Sequence, residues 1–256
     1  MTARILFISD SHLLEDREER LFGVRPFETL RAVTRTISLQ ELPFDLMVAM
    51  GDLSQDGSTE SYRDFHMLTG NLAKEVIWVP GNHDDFSRLD PDMKPFLKGS
   101  WHRDNWHLLF LDSSQRGRED GILSTEEMTR LNNFLESHRD GRLLIALHHQ
   151  PVEVGSRFID LLGLRNPEDF WGSLEGHPGV KALLFGHVHQ EVDRKVLGIR
   201  LLSVPATSVP FRPGSDEFAL DQPKRGYRTL SLQPGGTFST ATRMIATDHG
   251  IDMIPV

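Results

Sequence analysis

The sequence predicts an α/β fold, and three observations carry that reading. Short apolar runs rich in Val, Ile and Leu recur along most of the chain, and several end in a polar cluster. Segments with apolar residues every three or four positions lie between those runs. From residue 199 onward the helical period gives way to successive strands and turns. Near-continuous apolar runs suit strands covered on both faces.

Taken in order, residues 4–9 form the first run and lead to Asp10-Ser11-His12. A helix follows over 27–41, with Pro26 at its entry and Leu30, Val33 and Ile37 on one face. Residues 45–50 lead to Gly51-Asp52. A second helix is expected over 58–73, carrying Tyr62, Phe65, Leu68 and Leu72 at helical spacing. Residues 75–79 lead to Pro80-Gly81-Asn82-His83-Asp84, and 107–111 to Asp112-Ser113-Ser114. Ser124 and Glu127 form a capping-box pattern at the head of a helix over 124–138. Residues 142–147 lead to His148-His149. Asn166-Pro167 opens a short helix ending near Leu174, and 180–185 lead to Gly186-His187-Val188-His189. The tail from 199 carries the turn Gln233-Pro234-Gly235-Gly236. Without a linker or a repeat, 1–256 reads as one domain with a β-rich part from about 199.

Bulk composition narrows the function. The chain has 256 residues, is 38% hydrophobic and 25% charged, and carries a net charge of −9, as soluble globular proteins do. That charge repels a polyanion, and no basic run offsets it, so nucleic acid is not an expected partner. A small anion remains acceptable, because bound cations reverse the local sign. No run approaches the ~20 apolar residues that span a bilayer, and residues 4–9 lack a signal-peptide layout. The expectation is a cytoplasmic protein without a membrane partner. There is no cysteine, so any metal must be held by oxygen and imidazole.

The polar clusters supply such ligands. Asp10 and His12 stand two residues apart, as do His187 and His189. In extended backbone residues i and i+2 point the same way, so each pair could reach one cation. Asp52, Asn82 and His148 follow other strands, and Gly51 and Gly81 let the backbone bend closely there. Carboxylate and imidazole suit manganese, iron or zinc. The donors outnumber the needs of one tetrahedral ion, and one carboxylate can hold two cations ~3.5–4 Å apart. Two metals are therefore expected.

The ordered set Asp10-Ser11-His12, Gly51-Asp52, Gly81-Asn82-His83-Asp84, His148 and Gly186-His187-Val188-His189 resembles the calcineurin-like metallophosphoesterases. That resemblance implies a four-layer αββα sandwich, two mixed β-sheets flanked by helices. It also implies that Asp10, His12 and His189 hold one metal, that Asn82, His148 and His187 hold the other, and that Asp52 bridges them. His83 would face the substrate phosphate. Tyr62, Leu111-Asp112-Ser113, His148-His149-Gln150-Pro151, His189-Gln190 and Pro205-Ala206-Thr207-Ser208 resemble the bacterial cyclic-nucleotide and glycerophosphodiester phosphodiesterases.

The expected chemistry follows. A pair of cations lowers the pKa of a shared water, and the resulting hydroxide attacks phosphorus in line with the leaving oxygen. His83 stabilises the phosphoryl charge or protonates the leaving alkoxide. Catalysis thus falls to Asp52 and His83, and substrate contact to Asn82, His83 and His149. A structural role for His149 stands beside that reading. Asp84 is expected to hydrogen-bond within its turn, and Asp112 to cap a strand end or support a ligand. The substrate expected first is the small phosphodiester 3′,5′-cyclic AMP. A glycerophosphodiester, broad phosphoesterase activity, or metal-dependent nucleotide binding without hydrolysis are the alternatives. Residues 51–57 lack the arginine of protein phosphatases, and neither Tyr62 nor Tyr227 sits in a purple-acid-phosphatase motif. Trp101 and Trp171 are candidate pocket walls, residues 205–213 a candidate rim, and the β-rich tail a candidate completion of the second sheet and homodimer surface. The remaining histidines, His66, His102, His107, His138, His177 and His249, read as surface or packing residues.

Overall fold

The computed structural model describes residues 1–222 and 224–246. In chain order it contains β1 (Ala3–Ile8), α1 (Pro26–Gln40), β2 (Phe44–Ala49), α2 (Thr59–Thr69), β3 (Ala73–Trp78), β4 (Ser100–Arg103) and β5 (Trp106–Leu111). There follow α3 (Thr125–Ser137), β6 (Arg142–Leu147), α4 (Arg157–Asp160), α5 (Pro167–Leu174) and β7 (Val180–Phe185). The last strands are β8 (Asp193–Val196), β9 (Ile199–Ser203), β10 (Lys224–Leu232) and β11 (Phe238–Ala246).

These strands build two mixed sheets, in the orders β11-β10-β1-β2-β3 and β4-β5-β6-β7-β9-β8. Strand alternation sorts the side chains between layers. On β1, Ile5 and Phe7 enter the layer between the sheets, where they meet Leu108, Leu144, Leu184 and Leu202 of the second sheet. Leu6 and Ile8 point the other way, onto Leu30, Val33 and Ile37 of α1 and Tyr62 and Phe65 of α2. The second sheet repeats the arrangement, with Leu143, Ile145 and Leu183 packed against Leu131 and Leu135 of α3 and Phe170 of α5. The αββα sandwich implied by the motifs is the fold observed.

Several local expectations need correction. The second helix stops at Thr69, because Gly70 ends it and Ala73 already pairs with Phe44 as the start of β3. Ser124 caps α3 by accepting the Glu127 amide, but the reciprocal half of the box is missing. The Glu127 carboxylate instead accepts the Asp112 amide and pairs with Arg130. The tail does not simply complete the second sheet. β9 joins that sheet, while β10 and β11 extend the first, with β10 antiparallel to β1. Trp101 lies in the inter-sheet core, and Trp171 packs on the second sheet's outer layer, donating to Pro151 O. His249 falls outside the described residues.

The topology places the site. β1, β2 and β3 run parallel, as do β5, β6, β7 and β9, so the polar turns after β1, β2, β3, β6 and β7 gather at one end of the sandwich. Open α/β sheets hold ligands at that end.

Candidate metal centre

Backbone hydrogen bonds stitch these turns together. The Asp10 amide donates to Gly51 O and the His12 amide to Asp52 O, while the Gly186 amide donates to His148 O. Asp10, His12, Asp52, His187 and His189 all adopt positive φ, between 47° and 63°. The paired ligands therefore converge through left-handed turns, not through the pleat of a strand as their i, i+2 spacing suggested. Two glycines permit the crowding. Gly51 has φ +94°, and a Cβ there would collide with the His148 ring. A Cβ on Gly81 would collide with the backbone and carboxylate of Asp52.

The structure brings all seven expected ligands together. Asp10, His12 and His189 form one buried group, and Asp10, Asp52 and His148 another. Asp52 Oδ1 accepts the His83 backbone amide at 2.9 Å. Its Oδ2 faces both sides, 3.6 Å from His12 Nε2 and 3.3 Å from His148 Nε2. Asn82 Oδ1 lies 3.2 Å from His148 Nε2, and Asp10 Oδ1 lies 3.3 Å from His189 Nε2. Asp10 also accepts the His187 amide at 3.2 Å.

The hydrogen bonds behind the imidazoles show what the centre can hold. His12 Nδ1 meets Gln55 Oε1 at 2.8 Å, His148 Nδ1 meets Met50 O at 2.7 Å, and His189 Nδ1 meets Val209 O at 2.5 Å. Each of those partners is an acceptor, so each Nδ1 carries the hydrogen and each Nε2 presents a lone pair. The Nε2 atoms of His12 and His189 then face each other at 3.2 Å, acceptor against acceptor. His148 Nε2 faces the carboxylate of Asp52, a position that suits a proton or a cation between them. Among the described residues, His187 Nε2 is buried without any hydrogen-bond partner. Cations between these atoms resolve every one of these conflicts, and the O/N donor set fits manganese, iron or zinc.

Titration behaviour agrees. Burial raises the Asp52 carboxyl, but His148 and His12 outweigh it and hold it well below the usual range. Burial lowers His148, yet Asp52 reverses this and pushes it up to about 9. Burial drives His12 down to about 4 against the pull of Asp52, and His187 well below its ordinary value. Burial and then the Asp52 charge push Asp84 up to about 7. Asp84 serves the turn, accepting the amides of Leu53, Ser54 and Gly81. Asp112 caps its strand end through the Ser114 amide and hydroxyl.

Two residues sit differently from expectation. His149 does not reach the cavity. It is fully buried behind His148 and His187, and its nitrogens are taken by Ser113 Oγ (2.9 Å) and Glu119 O (3.2 Å). Burial drives it down to about 3, so it acts as a neutral support. Gln55 was missed. Its Oε1 serves His12, and its Nε2 lies 3.2 Å from His83 Nδ1. Its place three residues after Asp52, in a glycine-bounded turn, was the available signal.

A cavity of about 320 Å³ opens over the centre, lined by His12, Asp52, Asn82, His83, His187 and His189. Val209 and Phe211 also line it, so the expected rim over 205–213 is in place.

The sequence model of the calcineurin-like phosphoesterases matches residues 3–191. The chain belongs to this family. It is therefore a phosphoric ester hydrolase of the metallophosphoesterase class. This phosphoesterase is 38% identical over 248 residues to the 3′,5′-cyclic adenosine monophosphate phosphodiesterase CpdA of Escherichia coli (strain K12), covering 95% of this chain and 90% of that one. It is 37% identical over 235 residues to the protein of the same name from Pseudomonas aeruginosa, with 91% and 86% covered. A 3′,5′-cyclic-nucleotide phosphodiesterase from Nostoc sp. is 34% identical over 236 residues, with 91% and 89% covered. The solved structure of a dimetal phosphatase from Danio rerio shares the fold with a TM-score of 0.64 at 15% identity, over 95% of this chain and 98% of that one. Among the described residues, no helix is long and apolar enough to cross a membrane.

Proposed function

We propose that this phosphoesterase hydrolyses 3′,5′-cyclic AMP at a centre of two cations, manganese, iron or zinc. The carrying observation is the convergence of Asp10, His12, Asp52, His148 and His189 in one buried cluster, with the Nε2 atoms of His12 and His189 facing each other and His187 Nε2 without a partner. The activity named for relatives that are 34–38% identical over nine-tenths of the chain supports the substrate.

Asp10, His12 and His189 would hold one cation and Asn82, His148 and His187 the other, with Asp52 shared. Bound there, the cations would activate water for attack on phosphorus and neutralise phosphoryl charge. The rest falls to side chains. Met50 O, Val209 O and Gln55 Oε1 fix the ligand tautomers. Gln55 uses its oxygen on His12, so its amide nitrogen donates to His83 Nδ1. The His83 hydrogen must then sit on Nε2. His83 donates a hydrogen bond from Nε2 to a phosphoryl oxygen and so stabilises the charge that develops there.

Metal-reconstituted protein should be assayed with cyclic AMP, a glycerophosphodiester, bis(p-nitrophenyl) phosphate and a monoester. Cyclic AMP should give the highest kcat/KM. A glycerophosphodiester ahead by orders of magnitude would overturn the substrate, and tight nucleotide binding without hydrolysis under every metal would overturn the enzyme.

A further inference from the structure

Beyond the ligands, the cavity has a second wall that no part of the chemistry above uses. Phe22, Phe158 and the Phe211/Phe218 pair come from three segments and meet on one side of the metal centre. Their rings form a connected cluster: Phe22 and Phe218 lie 4.9 Å apart, Phe211 and Phe218 5.4 Å, Phe158 and Phe218 5.4 Å, and Phe158 and Phe211 5.7 Å. Phe211 also stacks on the ligand His189, with centroids 4.0 Å apart and planes within 4°. The wall thus begins at a metal ligand and runs outward.

The outer members are held in the open. Phe22 is 54% exposed and Phe218 41% exposed, so this is not core that happens to approach the site. Phe22 occupies a two-residue turn closed by reciprocal bonds between Leu21 and Val24. Both central residues have positive φ, 50° at Phe22 and 81° at Gly23. Turns of this kind favour asparagine then glycine, and a bulky ring avoids the first position. A strained, solvent-facing phenylalanine beside a reactive centre points to a ligand contact. The cavity, about 320 Å³, is at the small end of the ~300–1,000 Å³ range of small-molecule sites, which suits a compact substrate.

We propose that Phe22 and Phe218, braced by Phe158 and Phe211, form a stacking wall for the purine base of a nucleotide whose phosphate occupies the Asp52 centre. The choice of a nucleotide rests on the function proposed above; the aromatic wall itself rests on the rings described here. Aromatic faces bind any base through its π-surface, without hydrogen-bond readout. The wall therefore selects for a base over a base-free ester and discriminates weakly among bases.

The test is equilibrium binding to zinc-reconstituted protein by calorimetry, with adenosine 5′-monophosphate and ribose 5-phosphate as probes. Wild type should prefer the nucleotide by about tenfold or more. F22A and F218A should each lower that preference several-fold, F218L should behave like F218A, and F218W should restore it. A preference below twofold in wild type, an unchanged preference in the F22A/F218A double variant, or full retention in F218L would each overturn the stacking wall. Cyclic AMP turnover, followed in parallel, separates the two readings: its absence with the preference intact removes the substrate assignment and leaves the wall standing.

Discussion

Gln55 offers the sharpest test of how the site is wired. Replacement by leucine keeps the bulk and removes both polar atoms. Two bonds are lost, at 2.8 Å to His12 and 3.2 Å to His83. His12 is only 4% exposed, so its Nδ1–H would lose its partner in a dry place. An unsatisfied buried group costs about 1–3 kcal/mol. At 1.36 kcal/mol per factor of ten, metal affinity should fall by roughly 5- to 150-fold, in line with the ~10–100-fold seen for groups behind metal-bound histidines. His83, half-buried, regains water but loses its fixed tautomer, and kcat should fall by about 10–100-fold at saturating metal. Gln55→Glu separates the two effects. A carboxylate restores the acceptor for His12, yet it draws the His83 hydrogen onto Nδ1 and away from the phosphate. Metal affinity should recover while kcat stays low. The assay is metal per chain after chelator competition, beside kcat at saturating metal. A leucine variant within twofold of wild type in both quantities, or a glutamate variant with wild-type kcat, would refute this wiring.

Three more outcomes are expected. Asp52→Ala should lose both metals and nearly all turnover, because Asp52 Oδ2 faces both proposed ligand sets; two metals per chain with full activity would contradict this. His83→Ala should keep both metals, since its ring lies outside the two proposed ligand sets, while kcat falls by about 10²–10⁴-fold, measured by metal analysis and steady-state kinetics together. Loading the metal-free protein at pH 7–8 should release a proton from His148: its pKa, lifted to about 9 by Asp52 over the opposing effect of burial, leaves it protonated there. Affinity should thus climb with pH toward 9, and calorimetry in buffers of different ionisation enthalpy counts the proton.

Much of the centre was legible because ligands after strands leave compact signatures. Asp10-Ser11-His12 and Gly186-His187-Val188-His189 each announce two donors in a few residues, and the parallel strands then bring the turns together. What the motifs concealed was the backbone route. Spacing of two suggested pleated strand, whereas five of the proposed ligands sit in left-handed turns held by tertiary bonds. The strands β4 and β8 were hidden too, since Ser-Trp-His-Arg and Asp-Arg-Lys-Val are short, polar edge segments without an apolar run. Glu127 met the sequence rule for a capping box and then found a better partner in the Asp112 amide. His149 looked like a substrate contact from its place beside His148, but adjacent residues at a strand end point apart, and this one points inward to Ser113. The phenylalanine wall had no signature at all: Phe22, Phe158, Phe211 and Phe218 are isolated in loops or short helices, and only the fold makes them neighbours.

The pairing of β10 with β1 sets a timetable for biogenesis. Ala3 lies opposite Leu232, so β1 waits for a strand made far later before its outer edge is covered. At ~5–20 residues per second, that interval is roughly 10–50 s. During it, β1 presents an unsatisfied edge and the apolar faces of Ile5 and Phe7, a condition that invites mispairing. Because Asp10 follows β1 directly, the metal centre matures only once β10 has been made and has docked on β1.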